Sequence, residues 1–240
     1  MRTSNKRLKM TALMNTPAGD GKKGESNDDY PAMPNIFNRP RQFGFPPNIL
    51  TRLRYNDIVT LTSTDGSLAI QQMRMNSIFD PDVTSAGHQP LYHDQFAAIY
   101  NHYTVVGSKI TVTFTNTVSG AGSINGAVAC GLVVGDDATF SSTFQTLCEQ
   151  NKALHGTLPG FAGSAKTLTF TQTYGAVEDE GIDPYAGSSL VRTAMGANPT
   201  EVYFAQAWVQ GIAGADGVIA VDFNIEYTVL FSELIDVAQS

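Results

Sequence analysis

The sequence predicts an all-β chain folded as a two-sheet β-sandwich, and three observations carry that prediction. Apolar and polar residues alternate with period two in segment after segment beyond Tyr55. Glycine, serine and proline clusters at 64–67, 119–123, 159–164, 186–189 and 213–217 separate those segments. No repeat of about 20–50 residues recurs, which sets aside propellers and solenoids. At 240 residues the chain lies at the upper end of one such domain.

The first element is not a strand. Residues 1–47 hold Pro17, Pro31, Pro34, Pro40, Pro46 and Pro47 and the run Gly19-Asp20-Gly21-Lys22-Lys23-Gly24, with little hydrophobic periodicity. Such a composition buries too little apolar area to offset the entropy of ordering it. It is expected to form a basic, disordered or extended N-terminal arm, with residues 48–240 as the sandwich domain.

Strands are expected at 57–63, 68–76, 109–115, 127–134, 167–174, 202–210 and 219–231. In Lys109-Ile110-Thr111-Val112-Thr113-Phe114-Thr115 every apolar residue falls on one face and every threonine on the other. Leu168, Phe170 and Tyr174 alternate with Thr167, Thr169, Thr171 and Thr173 in the same way. The longest pattern sets Ile219, Val221, Phe223, Ile225, Tyr227, Val229 and Phe231 against Ala220, Asp222, Asn224, Glu226 and Thr228. In 68–76, Leu68/Ile70 and Met73/Met75 are out of phase, which predicts a bulge near Gln71-Gln72. One short helix is expected, capped by Asp94, from the spacing of Phe96, Ile99, Tyr100 and Tyr103.

Charge is divided along the chain. Residues 1–54 hold ten of the fifteen Lys/Arg against four acids, a balance of +6, and the remaining 186 hold five against eighteen, −13. A basic leader on an acidic body implies that the leader meets a polyanion. The ten are Arg2, Lys6, Arg7, Lys9, Lys22, Lys23, Arg39, Arg41, Arg52 and Arg54, and they are the expected nucleic-acid contacts. Lys6-Arg7-Leu8-Lys9 also fits a short nuclear-localisation pattern. Arg74, Lys109 and Arg192 are further cations that can supplement them, and Tyr30, Phe37, Phe43 and Phe45 are aromatics available for base stacking. No apolar run reaches the ~18 residues of a membrane helix and the first twenty residues have no apolar core, so neither a membrane span nor a signal peptide is expected.

Enzymatic constellations are sought without success. Gly135-Asp136-Asp137 is the triplet that holds magnesium in polymerases, but a turn explains it here. His88, His93, His102 and His155 do not form a paired-histidine metal grouping, and Cys130 and Cys148 have no histidine beside them in sequence. Asp80-Pro81-Asp82 and Glu178-Asp179-Glu180 with Asp183 are acidic clusters expected to be solvated loops rather than calcium sites. No metal, cofactor or catalytic residue is expected, and the function falls to structure or binding.

The densest motif runs from Asn76-Ser77-Ile78-Phe79-Asp80-Pro81-Asp82 through Gly87-His88-Gln89-Pro90 and Asp94-Gln95 to Tyr103-Thr104-Val105-Val106-Gly107-Ser108-Lys109-Ile110. In order and spacing these 35 residues, 76–110, resemble the capsid proteins of circular Rep-encoding single-stranded DNA viruses. The resemblance implies a single jelly roll of eight antiparallel strands in two sheets. It further implies self-assembly into an icosahedral shell, of 60 copies in its simplest form, around a single-stranded DNA genome bound without sequence specificity. The protein would then reside in the virion, and in the host nucleus during assembly. Phe79, Asp80, Asp82, His88, Gln89, Asp94 and Gln95 are the implied subunit-interface residues, within contact loops at 77–102, 135–165 and 175–200. The arm departs from that family in lacking a dense arginine run, so each copy is expected to neutralise few phosphates. Small RNA-virus jelly-roll capsids share the strand pattern. Rivals from other classes are a carbohydrate-binding β-sandwich lectin and a metal-dependent jelly-roll oxygenase.

Overall fold

A computed structural model of the chain describes residues 44–84, 87–116, 126–138, 143–160 and 167–236. Nine strands run through them: β1 (Asn48–Ser63), β2 (Leu68–Arg74), β3 (Tyr100–Asn116), β4 (Val128–Gly135), β5 (Leu154–Leu158), β6 (Thr167–Gly175), β7 (Arg192–Ala194), β8 (Phe204–Gly211) and β9 (Gly217–Leu234). All pair antiparallel. One sheet has the order β1-β9-β3-β6, with β7 added on β3, and the other the order β2-β8-β4-β5. The chain changes sheet at every connection except β4–β5 and β6–β7, and the first and last strands are adjacent. That is the jelly-roll arrangement, here with β7 as a ninth, three-residue strand.

The core follows from the alternation. Ile219, Val221, Phe223, Ile225, Tyr227, Val229 and Phe231 of β9 are all fully buried, as are Ile110, Val112 and Phe114 of β3. They meet Met73 of β2, Cys130, Leu132 and Val134 of β4 and Ala205, Ala207 and Val209 of β8 across the sandwich. Burying one such side chain contributes roughly 1.5–3 kcal/mol. Burial in this core also pushes the Cys130 thiol up to about 12, so it stays protonated and unreactive.

The two outer faces differ. On the first sheet, Thr111 and Thr113 of β3 face Thr171 and Thr169 of β6 with hydroxyl separations of 3.3 and 3.1 Å, and Asn56 donates to Asp222 at 2.8 Å. On the second sheet, Trp208 of β8 is fully buried with Ala129 and Val133 of β4 beneath α2 (Phe144–Glu149), which contributes Leu147. Gly131 makes room for the indole, since a Cβ there would lie 2.3 Å from the ring.

This second apolar face corrects one reading of the sequence. β2 pairs with β8 in continuous register from Leu68 to Arg74, with no bulge at Gln71-Gln72. Its phase change arises because Gln71 and Met73 point inward while Leu68 packs outward with the Trp208 cluster. The one register shift lies instead in β3, between Val105 and Gly107.

The helix is also shorter than the spacing predicts. α1 spans His93–Ala97, its N-cap is Tyr92 rather than Asp94, and Tyr100 and Tyr103 already belong to β3. Both tyrosines are buried, which mimics a helical apolar stripe. A further short helix, α3, covers Ala176–Glu180. Gly135 ends β4, and Asp136-Asp137 follow it on the way to α2 rather than joining two strands directly.

Candidate nucleic-acid and subunit interfaces

The 76–110 motif spans the connection from β2 to β3 and continues into β3 as far as Ile110. Arg74, the last residue of β2, donates from its guanidinium to the Asp80 carboxylate at 2.8 Å, to the Asp80 carbonyl at 2.7 Å and to the Asp82 carbonyl at 3.2 Å. Asp82 is 4% exposed and accepts from the Gln71 amide at 2.7 Å and the Thr84 N–H at 2.9 Å. Neither carboxylate is solvated as the sequence suggests, because Asp80 accepts from the Arg74 guanidinium and Asp82 from one side-chain and one backbone donor. Proline at position 81 fits between them, since its carbonyl only has to accept from the Arg74 N–H.

Tyrosines tie this turn to the rest of the sandwich. The Tyr103 hydroxyl sits 3.0 Å from Ser77 Oγ and donates to the Ala197 carbonyl at 2.8 Å, and Ser77 donates to Asn198 at 2.6 Å. Burial pushes the Tyr103 phenol up to about 12. The Tyr227 hydroxyl donates to the Arg74 carbonyl at 2.7 Å. Asn76 donates to Glu180 and to the Glu201 carbonyl.

The other implied interface residues fall into two groups. Phe79 is half-buried against the core, and its carbonyl accepts from Gln89 at 3.1 Å. His88 is exposed and its ring stacks on Tyr55 with centroids 4.7 Å apart. Asp94 and Gln95 lie on the exposed face of α1, while His93 beside them is buried and hydrogen-bonds the Met195 carbonyl. His88 and His93 thus serve different partners, and no group of three or more His, Cys, Asp or Glu able to hold a metal occurs among the described residues.

Of the ten basic residues singled out in the sequence, Arg2, Lys6, Arg7, Lys9, Lys22, Lys23, Arg39 and Arg41 lie outside the described residues, as do the aromatics Tyr30, Phe37 and Phe43. Phe45 is described and exposed. Arg52 and Arg54 point outward from β1 and both reach one carboxylate, Glu226 of β9, each at 3.1 Å. Lys109 of β3 stands opposite Glu226 on its other side. The further body cations are committed elsewhere: Arg74 to Asp80, Lys152 to Asp179 and Arg192 to Glu233. Arg74 is only 14% exposed at its side chain, which removes it from the surface residues that can supplement the arm.

The structure brings two members of each predicted set, Arg52 and Arg54 with His88 and Gln89, together in one place. Arg52, Arg54 and Asn56 of β1 form one wall of a pocket of about 470 Å³, and His88, Gln89, Leu91 and Tyr92 form the other. Leu91 and Tyr92 are 70% and 60% exposed. Tyr92 holds a left-handed backbone, φ 74°, a conformation that costs a non-glycine residue of order 1 kcal/mol or more. Sequence reasoning passed over both residues. Their only signal was an apolar pair directly after Pro90, in a segment with no alternation.

A second acidic feature is internal. Lys152 reaches Asp179 and the Tyr203 hydroxyl, and Tyr174 donates to Glu180 at 3.1 Å. Burial raises the Glu180 carboxyl above its ordinary value, with Glu201, Asp179 and Asp136 adding repulsion. Asp179 and Glu180 are therefore engaged within the fold, whereas Glu178 and Asp183 are exposed as expected of a solvated loop.

No protein-family model matches the chain, and no curated protein matches it. Solved structures do. The empty head of turnip yellow mosaic virus is 11% identical over 84% of this chain and 89% of that one, with a TM-score of 0.45. A 60-mer BFDV capsid protein is 12% identical over 82% and 100%, at 0.44. A semi-empty particle of the giant freshwater prawn Macrobrachium rosenbergii nodavirus is 12% identical over 80% and 97%, at 0.45. With every TM-score below 0.5, the jelly-roll assignment rests on the strand order itself.

Proposed function

We propose that this chain is a non-enzymatic viral coat protein that self-assembles into a closed icosahedral shell and packages a single-stranded DNA genome without sequence preference. The observation that carries the reading is the jelly-roll strand order with the 76–110 motif folded as its β2–β3 connection and the first part of β3. A rigid two-sheet wedge suits shell formation because its connections, held apart from the core, are available for heterologous contacts that close around symmetry axes. The basic leader supplies the polyanion contact, and phosphate neutralisation by it is independent of base sequence. Single-stranded DNA as the cargo rests on the motif resemblance, and the nuclear phase of assembly on Lys6-Arg7-Leu8-Lys9.

Negative-stain microscopy of the recombinant protein after size exclusion, with the 260/280 nm absorbance ratio recorded, tests this reading. Uniform spherical particles that carry nuclease-protected nucleic acid are expected, with DNase rather than RNase digesting what disruption releases. Removal of residues 1–43 keeps Pro46 and Pro47, whose carbonyls accept from Tyr100 and Glu233. The truncated shells should hold less nucleic acid. A small unassembled species under all salt and calcium conditions would overturn the coat reading, and glycan binding by it would favour the lectin.

A further inference from the structure

We propose that the pocket between β1 and the 87–92 loop is a nucleotide-binding subsite for single-stranded nucleic acid, with a phosphate on Arg52 and Arg54 and the adjoining base stacked on Tyr92. The inference rests on the coat-protein reading for its biological ligand and on the pocket's own chemistry for everything else.

Charge is the first argument. The chain as a whole is net −7, yet no carboxylate lines this pocket. Six Lys/Arg are described, and three of them each have a carboxylate of their own. The other three, Arg52, Arg54 and Lys109, are grouped around the single carboxylate of Glu226. Glu226 takes one donor from each guanidinium, and with side chains 74% and 66% exposed the arginines keep their remaining N–H groups toward solvent. Three cations around one carboxylate leave a local positive excess on an acidic body, which makes a local anion site.

Shape and surface are the second. The cavity lies within the roughly 300–1,000 Å³ range of small-ligand pockets. Facing the arginines is an aromatic ring, Tyr92, that the backbone holds out at φ 74° with its carbonyl tied to the Phe96 N–H. Asn56 and Gln89 bring amide groups to the same lining, although Asn56 is partly engaged by Asp222 and Gln89 by the Phe79 carbonyl. Cations for a phosphate beside an aromatic platform for a base is the combination used for single strands, whose bases are free to leave their stack. A sulfated glycan would also use the arginines, but the flat face of Tyr92 matches a planar base, which favours a nucleotide.

The test uses the full-length protein and three probes: fluorescent hexathymidylate, a hexamer of the same backbone lacking bases, and a 5-iododeoxyuridine hexamer for photocrosslinking. Tyr92→Asn, which tolerates the left-handed backbone, should weaken hexathymidylate binding about tenfold and leave the abasic hexamer unchanged. Tyr92→Phe should retain both. Replacing Arg52 and Arg54 by glutamine should weaken both probes and lower the salt slope of binding by about 0.7 for the one lost phosphate contact. Photoadducts should map to Tyr92 or His88. Adducts confined to other residues, or Tyr92→Asn binding hexathymidylate as the wild type does, would overturn the proposal. Loss of both oligomers in the arginine variant with Tyr92→Asn neutral would identify an anion site of the glycan type instead. Microscopy separates the two readings: shells without the adduct leave the coat reading and remove the subsite, whereas the adduct on a protein that never forms shells does the reverse.

Discussion

Arg74 and Asp80 close the first turn of the β2–β3 connection on itself, with one guanidinium nitrogen holding the Asp80 carboxylate at 2.8 Å and the same residue's carbonyl at 2.7 Å. Both side chains are largely shielded, at 14% and 19% exposure. Arg74→Ala would leave a shielded carboxylate and two carbonyls without their donor, and should cost about 3 kcal/mol. Urea unfolding of unassembled protein, followed by the fluorescence of Trp208, measures this. A loss under about 0.5 kcal/mol, the scale of a surface pair, would refute the structural role.

Gly131→Ala tests the second sheet's outer face. The added carbon would lie 2.3 Å from the Trp208 ring, and overpacking of this kind costs roughly 1–3 kcal/mol. Since the chain has a single tryptophan, a shift in intrinsic emission reports the displacement directly. Unchanged emission and stability would mean that the indole is not packed against β4.

Glu226→Gln removes the carboxylate shared by Arg52 and Arg54. Two exposed ion pairs disappear, so stability should change by less than about 1 kcal/mol. Oligonucleotide binding should strengthen several-fold at low salt, and the gain should fade at high salt as screening takes over. Weaker binding by this variant would show that Glu226 positions the arginines rather than restraining them.

Glu180 predicts a pH dependence. Burial holds its carboxyl above the ordinary value of 4.5. A group raised in the folded state adds stability below its unfolded value and loses that contribution as pH rises through the folded value. Glu180→Gln should therefore be more stable than the wild type at pH 7, with the difference shrinking toward pH 4. Thermal denaturation across that range checks it, and an unchanged gap at both ends would remove Glu180 as the cause.

Legibility in the sequence tracked burial on one face. β3, β6 and β9 alternate cleanly because one side meets the core and the other carries Thr, Asn and Asp, and those strands lie where the pattern puts them. Residues 48–56, the first half of β1, fell between the expected arm and the expected strand at 57–63 because exposed Leu50 and inward Thr51 break the phase. β5 was missed for a related reason: most of Leu154–Leu158 is exposed, so no alternation marks it. The motif residues showed that 76–110 is one unit. They did not show that Asp82 accepts from Gln71 and Thr84, nor that Arg52 and Arg54 face His88 and Tyr92, and the second relation joins segments that only the sandwich brings together.

The pairing of the first strand with the last has a consequence for synthesis. Arg54 and Glu226 are partners 172 residues apart, so β1 leaves the ribosome long before β9 exists. At ordinary elongation rates of about 5–20 residues per second that wait lasts roughly ten to thirty seconds. Until then the first sheet lacks the strand that lies between β1 and β3, so β1 and β3 have no partner between them. The sandwich therefore closes only after β9 has been made, and the rate of translation sets the earliest moment at which the first sheet is complete.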